Sequence, residues 1–294
     1  MREIHLAVFD LDNTVWEYFA AHEAAAQRLM DELCRSSGVS LEALKAATRE
    51  AIIRHEIFDY SQTIRHNRAL AEAHPGVDLE KHFATEAQCF RDEISRHQHP
   101  YDGMHETLAK LKKQGVRLAC YSESDATSVA RRLAAIGLAD MFDLVCTAPD
   151  EGTIFLPGRP PEYMPIERGL PVPHRVILHG DPNGPKTHPE VLGFIMDEMG
   201  VDPAHTAMVG DNPVRDVGMA RKMGALGIHA RWGRKSLGAL PLTSELHPYV
   251  GHLKEKVAED GMMEADFIAD SPAVLLKFLR GPRPKAPRKR MAPS

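Results

Sequence analysis

The sequence predicts an α/β fold: a three-layer α/β/α core on a parallel sheet, with an all-helical lobe inserted after the first strand. From Tyr101 onward, short apolar runs alternate with amphipathic helical stretches, the pattern of parallel strands joined by helical crossovers. Between Tyr18 and about Gln98 the periodicity is helical throughout, with no strand pattern. The apolar runs also end in polar residues on the side where open α/β sheets bind ligands.

The elements follow in order. Leu6 to Phe9 is fully apolar and reads as a strand buried on both faces. EYFAAHEAAAQRLMDELCRSSG has helical spacing and stops at Ser-Ser-Gly; Ser40 and Asp78 are candidate caps for SLEALKAATREAIIRHEIF and DLEKHFATEAQCFRDEISRH. DGMHETLAKLKKQG then leads to the strand VRLACYS, and SDATSVARRLAAIGL to the strand FDLVCT. RVILH, TAMVGD and ALGIHA are the remaining strands of this series, separated by the helices THPEVLGFIMDEMG and NPVRDVGMARKMG. Residues 1–16 and 100–279 are assigned to the core and 17–99 to the helical lobe. Residues 148–174, rich in Pro and Gly, read as an irregular insertion, and 233–265 as a second addition. Residues 280–294 carry six basic residues and no acidic one, and read as a disordered basic tail.

Composition excludes several classes. With 294 residues, 43% hydrophobic and 26% charged, the chain is of ordinary globular composition. No apolar run approaches the roughly 20 residues of a membrane helix. Only Leu6 to Phe9 precede the first Asp, so no signal-peptide core is expected and the cytoplasm is the expected location. The four cysteines form no CxxC pair and the sixteen histidines no HExxH spacing, which argues against zinc. The basic tail is a weak hint of contact with nucleic acid or another acidic surface, but a solvated tail is the stronger reading; no membrane partner is expected, and oligomeric state is not legible.

Chemistry collects at four positions. Asp10-Leu11-Asp12-Asn13-Thr14 follows the first strand, and Ser122-Glu123 follows RLACY. Lys186 opens KTHPEVL, and Gly210-Asp211-Asn212-Pro213-Val214-Arg215-Asp216 follows TAMV. Alternation along an extended chain would point Asp10, Asp12 and Thr14 to one side. Carboxylates that close repel unless a cation lies between them. Asp10 and Asp211 offer hard oxygen ligands for Mg²⁺, the Ser122 hydroxyl and nearby backbone N–H groups can hold phosphoryl oxygens, and Lys186 adds a point charge. Aspartate is itself a nucleophile in phosphoryl transfer. The set reads as a phosphate site with Mg²⁺.

In order and strand-end placement these residues resemble the haloacid dehalogenase superfamily of hydrolases, in its phosphoglycolate phosphatase-like branch with a helical cap between the first and second motifs. The resemblance spans roughly residues 4 to 232 and implies a Rossmann-like core, with the helical lobe as the cap. It implies that Asp10 attacks phosphorus and becomes an aspartyl-phosphate. Asp12 would protonate the leaving alcohol and then activate water, its main-chain carbonyl joining the Mg²⁺ shell. Ser122 and Lys186 would hold the phosphoryl group, with Glu123 beside them. Asp211 would bind Mg²⁺, with Thr14, Asn212 and Asp216 in support.

Asp12 favours a phosphate ester over a carbon–halogen bond, because an alkoxide needs a proton on leaving and a halide does not. Glu123 stands where the family often has Asn or Gly; its carboxylate is expected to turn from the phosphate or pair with a base. Arg54, Tyr60, Arg65 and His66 form a polar neighbourhood in the cap that could select the substrate. The leading expectation is a Mg²⁺-dependent phosphatase of a small soluble phosphomonoester. A phosphomutase or phosphotransferase of the same superfamily and a catalytically silent binding protein on this fold are the alternatives.

Overall fold

The computed structural model describes residues 2–55, 59–150, 162–167, 169–178, 188–247 and 265–282. Its centre is one sheet of eight strands in the order β4-β5-β3-β2-β1-β6-β7-β8. The strands are β1 (Leu6–Asp10), β2 (Arg117–Asp125), β3 (Leu144–Ala148), β4 (Glu162–Pro165), β5 (His174–Leu178), β6 (Thr206–Gly210), β7 (Leu226–Ala230) and β8 (Phe267–Ala269). All neighbours pair in parallel except β4, which lies antiparallel on β5 at one edge. That strand corrects the reading of 148–174 as irregular throughout. A four-residue edge strand containing Met164 and Pro165 leaves little periodicity to detect, and Pro is tolerated there because no ladder donor is needed on the outer side.

β1 lies between β2 and β6, and all five of its residues are buried. Its side chains alternate between two cores. Ala7 and Phe9 join Leu118, Cys120, Val145 and Val209 on one face, under the helices α6 (Met104–Lys113) and α7 (Ala126–Ala135). Leu6 and Val8 join Ala119, Tyr121, Cys146 and Met208 on the other, under α8 (Glu190–Glu198) and α9 (Gly218–Lys222). Period-two burial against helices on both faces is what a continuous apolar strand requires. The core is the expected three-layer arrangement.

The inserted lobe has its own core. α1 (Tyr18–Ser37), α2 (Leu41–His55), α3 (Arg68–Ala73) and α5 (Ala84–Arg96) pack Leu29, Leu33, Leu44, Ile52, Leu70 and Phe90 together with Tyr60 and Phe83. Asp78 caps α4 (Leu79–His82) by accepting from Lys81 N at 3.3 Å, as its position suggested. The helix then breaks at buried Phe83, so the single helix expected over 78–97 is two. Leu246, on α10 (Pro241–Leu246), enters the same cluster, and Glu23 of α1 accepts from Leu242 N at 3.1 Å and Thr243 N at 2.7 Å. Part of the later addition is thus tied to the helical lobe. At the other end, Ile4 N donates to Arg280 O at 2.8 Å, so the chain is still seated on the core at Arg280; residues 283–294 of the basic tail lie outside the described residues.

His22 of α1 stacks on Tyr18 with ring centroids 3.7 Å apart, its Nδ1 3.0 Å from Tyr18 O. Burial, reinforced by the Arg132 charge, holds its pKa down to about 3. Unfolding exposes a histidine that binds a proton below about pH 6.5, so the unfolded chain gains protons there and stability falls as pH drops from 6.5 toward 3. Over the first two pH units this slope amounts to about 2–3 kcal/mol. Urea midpoints of His22→Phe between pH 6.5 and 4.5 should fall less steeply than those of the parent chain; parallel curves would remove His22 from this account.

Candidate active site

Three adjacent strands deliver the site. Asp10, the last residue of β1, pairs with Tyr121 of β2, so Ser122 lies one residue beyond it. Phe9 pairs with Val209 of β6, which brings Gly210 and then Asp211 to the same end of the sheet. Asp10, Asp211 and Asp216 each offer a carboxylate oxygen, and these lie within 4.8 Å of one another.

Thr14 joins two of them. Its hydroxyl donates to Asp10 Oδ2 at 3.0 Å and accepts from Asp211 N at 3.0 Å, while its own carbonyl accepts from Trp232 Nε1 at 2.9 Å. Asp211 is held further by Arg234, whose Nε donates to Asp211 O at 2.6 Å and lies 3.6 Å from Asp211 Oδ2. Asp216 folds back under its own loop and accepts from Asn212 N at 3.0 Å; Asn212 Oδ1 in turn accepts from Val214 N and Arg215 N, both at 3.1 Å. This close return needs Gly210, where an added Cβ would stand 2.1 Å from Asp216 Oδ2. Converging carboxylates are costly unless a cation shares their charge, and an all-oxygen donor set suits a hard divalent ion. The residues present therefore fit Mg²⁺.

Thr14→Val removes both hydroxyl bonds at a fully buried position. Because partners that orient metal ligands are worth about 10–100-fold in metal affinity, the Mg²⁺ concentration giving half-maximal activity should rise by about that factor. An unchanged Mg²⁺ titration would show that Thr14 does not order the carboxylates.

Asp12 departs from the alternation expected of it. The chain leaves the extended conformation after Asp10: Val15 N bonds Leu11 O at 2.8 Å, and Asn13 adopts φ 59°. Thr14 reaches Asp10 through this turn, and the Asp12 carboxylate points elsewhere. Trp16 Nε1 donates to Asp12 Oδ1 at 2.7 Å, Ser124 Oγ to Oδ2 at 2.9 Å, and Arg132 Nη1 lies 3.2 Å from both oxygens. Among the described residues, Asp12 is not one of the three clustered carboxylates.

Ser122 is buried and its hydroxyl oxygen accepts from Ser124 N at 3.1 Å. Glu123 forms an ion pair with Arg215 at 2.5 Å, one of the two arrangements its charge led us to expect beside a phosphate. Lys186 lies outside the described residues.

The cap candidates do not gather at the three carboxylates. Tyr60 sits in the cap core, edge-on to His22 and 6.1 Å from the Phe90 ring. Exposed Arg54 bonds Glu50, and Arg65 donates to His66, which stacks on His55.

Known proteins resemble this chain over most of its length. A model of the haloacid dehalogenase-like hydrolase family matches residues 4–224, and the chain belongs to that family. It is a hydrolase, and the near-full-length curated relatives it matches are phosphatases. One, a phosphoglycolate phosphatase of Neisseria meningitidis, is 25% identical over 87% of this chain and 93% of its own length. Among solved structures, a 2-haloacid dehalogenase from Pseudomonas syringae superposes with a TM-score of 0.52 at 20% identity, covering 93% of this chain and 97% of its own. A HAD-superfamily hydrolase of subfamily IA from Geobacter sulfurreducens gives 0.51 at 17%, covering 95% and 97%. Both share the fold. No helix among the described residues is long and apolar enough to cross a membrane.

Proposed function

We propose that the chain is a Mg²⁺-dependent phosphatase that hydrolyses a small soluble phosphomonoester through an aspartyl-phosphate on Asp10. The observation that carries this reading is the convergence of Asp10, Asp211 and Asp216 at the end of the central strands, with Thr14 tying two of them together. Asp10 and Asp211, with the main-chain carbonyl of Asp12, would hold the ion, and Asp216 would support them. Bound there, Mg²⁺ supplies positive charge that offsets the repulsion between a carboxylate and a phosphate dianion.

The chain's own groups do the rest. An Asp10 carboxylate oxygen forms a bond to phosphorus as the bond to the alcohol oxygen breaks, and Asp12 gives that oxygen its proton. Asp12 then takes a proton from water as the water oxygen bonds phosphorus and the bond to Asp10 breaks, returning Asp10 and releasing phosphate. The Ser122 hydroxyl and adjacent N–H groups hold phosphoryl oxygens, with Lys186 as the positive charge. Glu123 is paired with Arg215, which keeps its charge from the phosphate. Arg54, Arg65 and His66 are proposed to act only if the cap brings its surface to the substrate.

Because relatives of the chain are phosphoglycolate phosphatases, phosphoglycolate is the first ester to assay. A panel of phosphate esters with Mg²⁺, read as released inorganic phosphate, tests the reading. Turnover that disappears with a chelator and returns with Mg²⁺ is expected. Phosphoryl transfer to an acceptor without free phosphate would point to the mutase or transferase alternative. Absence of turnover across the panel would leave the fold as a binding protein.

A further inference from the structure

We infer that Arg132 is the positioning residue for Asp12, fixing the direction of its carboxylate. This rests on the reading of Asp12 as proton carrier. Arg132 lies on α7, nine residues beyond Glu123 and outside the four motifs, and its Nη1 is 3.2 Å from both oxygens of Asp12. The same nitrogen is 2.8 Å from Ser124 Oγ, which itself donates to Asp12 Oδ2 at 2.9 Å. Trp16 Nε1 closes the arrangement at Oδ1. Donors from the entry to the cap, from β2 and from α7 therefore converge on one carboxylate.

Arg132 is itself locked. Its guanidinium carbon lies 5.6 Å from the Trp16 ring centroid and 5.4 Å from that of Tyr18. Its side chain is only 13% exposed. Holding a cation against two aromatic faces in a desolvated setting fixes both its place and its plane. The Asp12 carboxylate sits on the Leu11 to Trp16 turn, just before left-handed Asn13, and has no strand to fix its direction. The guanidinium and the two neutral donors do so instead. Lysine would bring the charge without the planar group that stacks on the rings.

The test separates this role from that of a purely structural ion pair. An aryl phosphate with a good leaving group needs little proton donation, whereas an alkyl phosphate needs it fully. Only a residue acting through Asp12 should distinguish the esters. The full chain with Mg²⁺ and its Arg132→Met variant are compared on para-nitrophenyl phosphate and on an alkyl phosphate such as phosphoglycolate. General acid catalysis is worth about 10²–10⁴-fold, so kcat/KM on the alkyl ester should fall by about 10²-fold or more, and on the aryl ester by less than about tenfold. Arg132→Lys, which keeps a cation and the fold, should show the same selectivity at reduced size. Losses that are equal for the two esters in both variants, or no loss in either, would overturn the inference. Wild-type chain that hydrolyses neither ester would overturn the phosphatase reading beneath it, which is a different result.

Discussion

Asp10→Asn should lose turnover of every phosphate ester by at least about 10⁴-fold while keeping the fold. Amide nitrogen and oxygen are poor nucleophiles, and removal of a covalent nucleophile commonly costs this much or more. The substitution is close to isosteric, and the Thr14 hydroxyl can still donate to the amide oxygen. β1 is anchored by Leu6, Val8, Ala7 and Phe9 on its two faces, none of which is touched. Thermal melting and far-UV circular dichroism should therefore match the parent chain. Activity within about tenfold of the parent would remove Asp10 from the chemistry.

Gly233→Ala should damage the site from outside the motifs. A Cβ at Gly233 would stand 1.7 Å from the carbonyl oxygen of Asn13 and 2.9 Å from Asp211 Cβ. The first of these is backbone, so no rotamer change relieves it. Asn13 already sits at φ 59°, and its side-chain oxygen accepts from Phe19 N at 2.9 Å, so the turn has little room to yield. Overpacking of this kind typically costs about 1–3 kcal/mol and more where backbone must move, and the displaced atoms here belong to the loop carrying Asp12 and Thr14. The variant should unfold about 3 kcal/mol earlier in urea and lose about 10²-fold or more in activity. Stability and activity both close to the parent's would show that the 231–239 segment is not packed on the turn carrying Asp12 and Thr14.

Much of this was legible in the residues. The apolar run of β1, the alternating units after Tyr101 and the helical stretch after Tyr18 each carry a strong local period, and each became the element expected. Asp10, Thr14, Asp211 and Asp216, which the sequence places at strand ends, lie together in the structure. What escaped had no local signal. Trp232 and Arg234 reach the site from the segment after β7, and Arg132 from the flank of an amphipathic helix whose neighbours Val129 and Leu133 are ordinary core. Such contacts are created by tertiary packing, between positions with no shared periodicity. The direction of Asp12 was misjudged for a related reason. Alternation holds only while the chain stays extended, and the turn at Leu11 to Trp16 ends it. The antiparallel β4 was hidden by its shortness and its proline.

The most direct measurement is acid quenching of the enzyme during turnover with Mg²⁺ and an aryl phosphate, followed by peptide mass mapping. The account predicts one phosphoryl group on the peptide containing Asp10, absent in Asp10→Asn. Steady turnover with the phosphoryl group on another residue would contradict it.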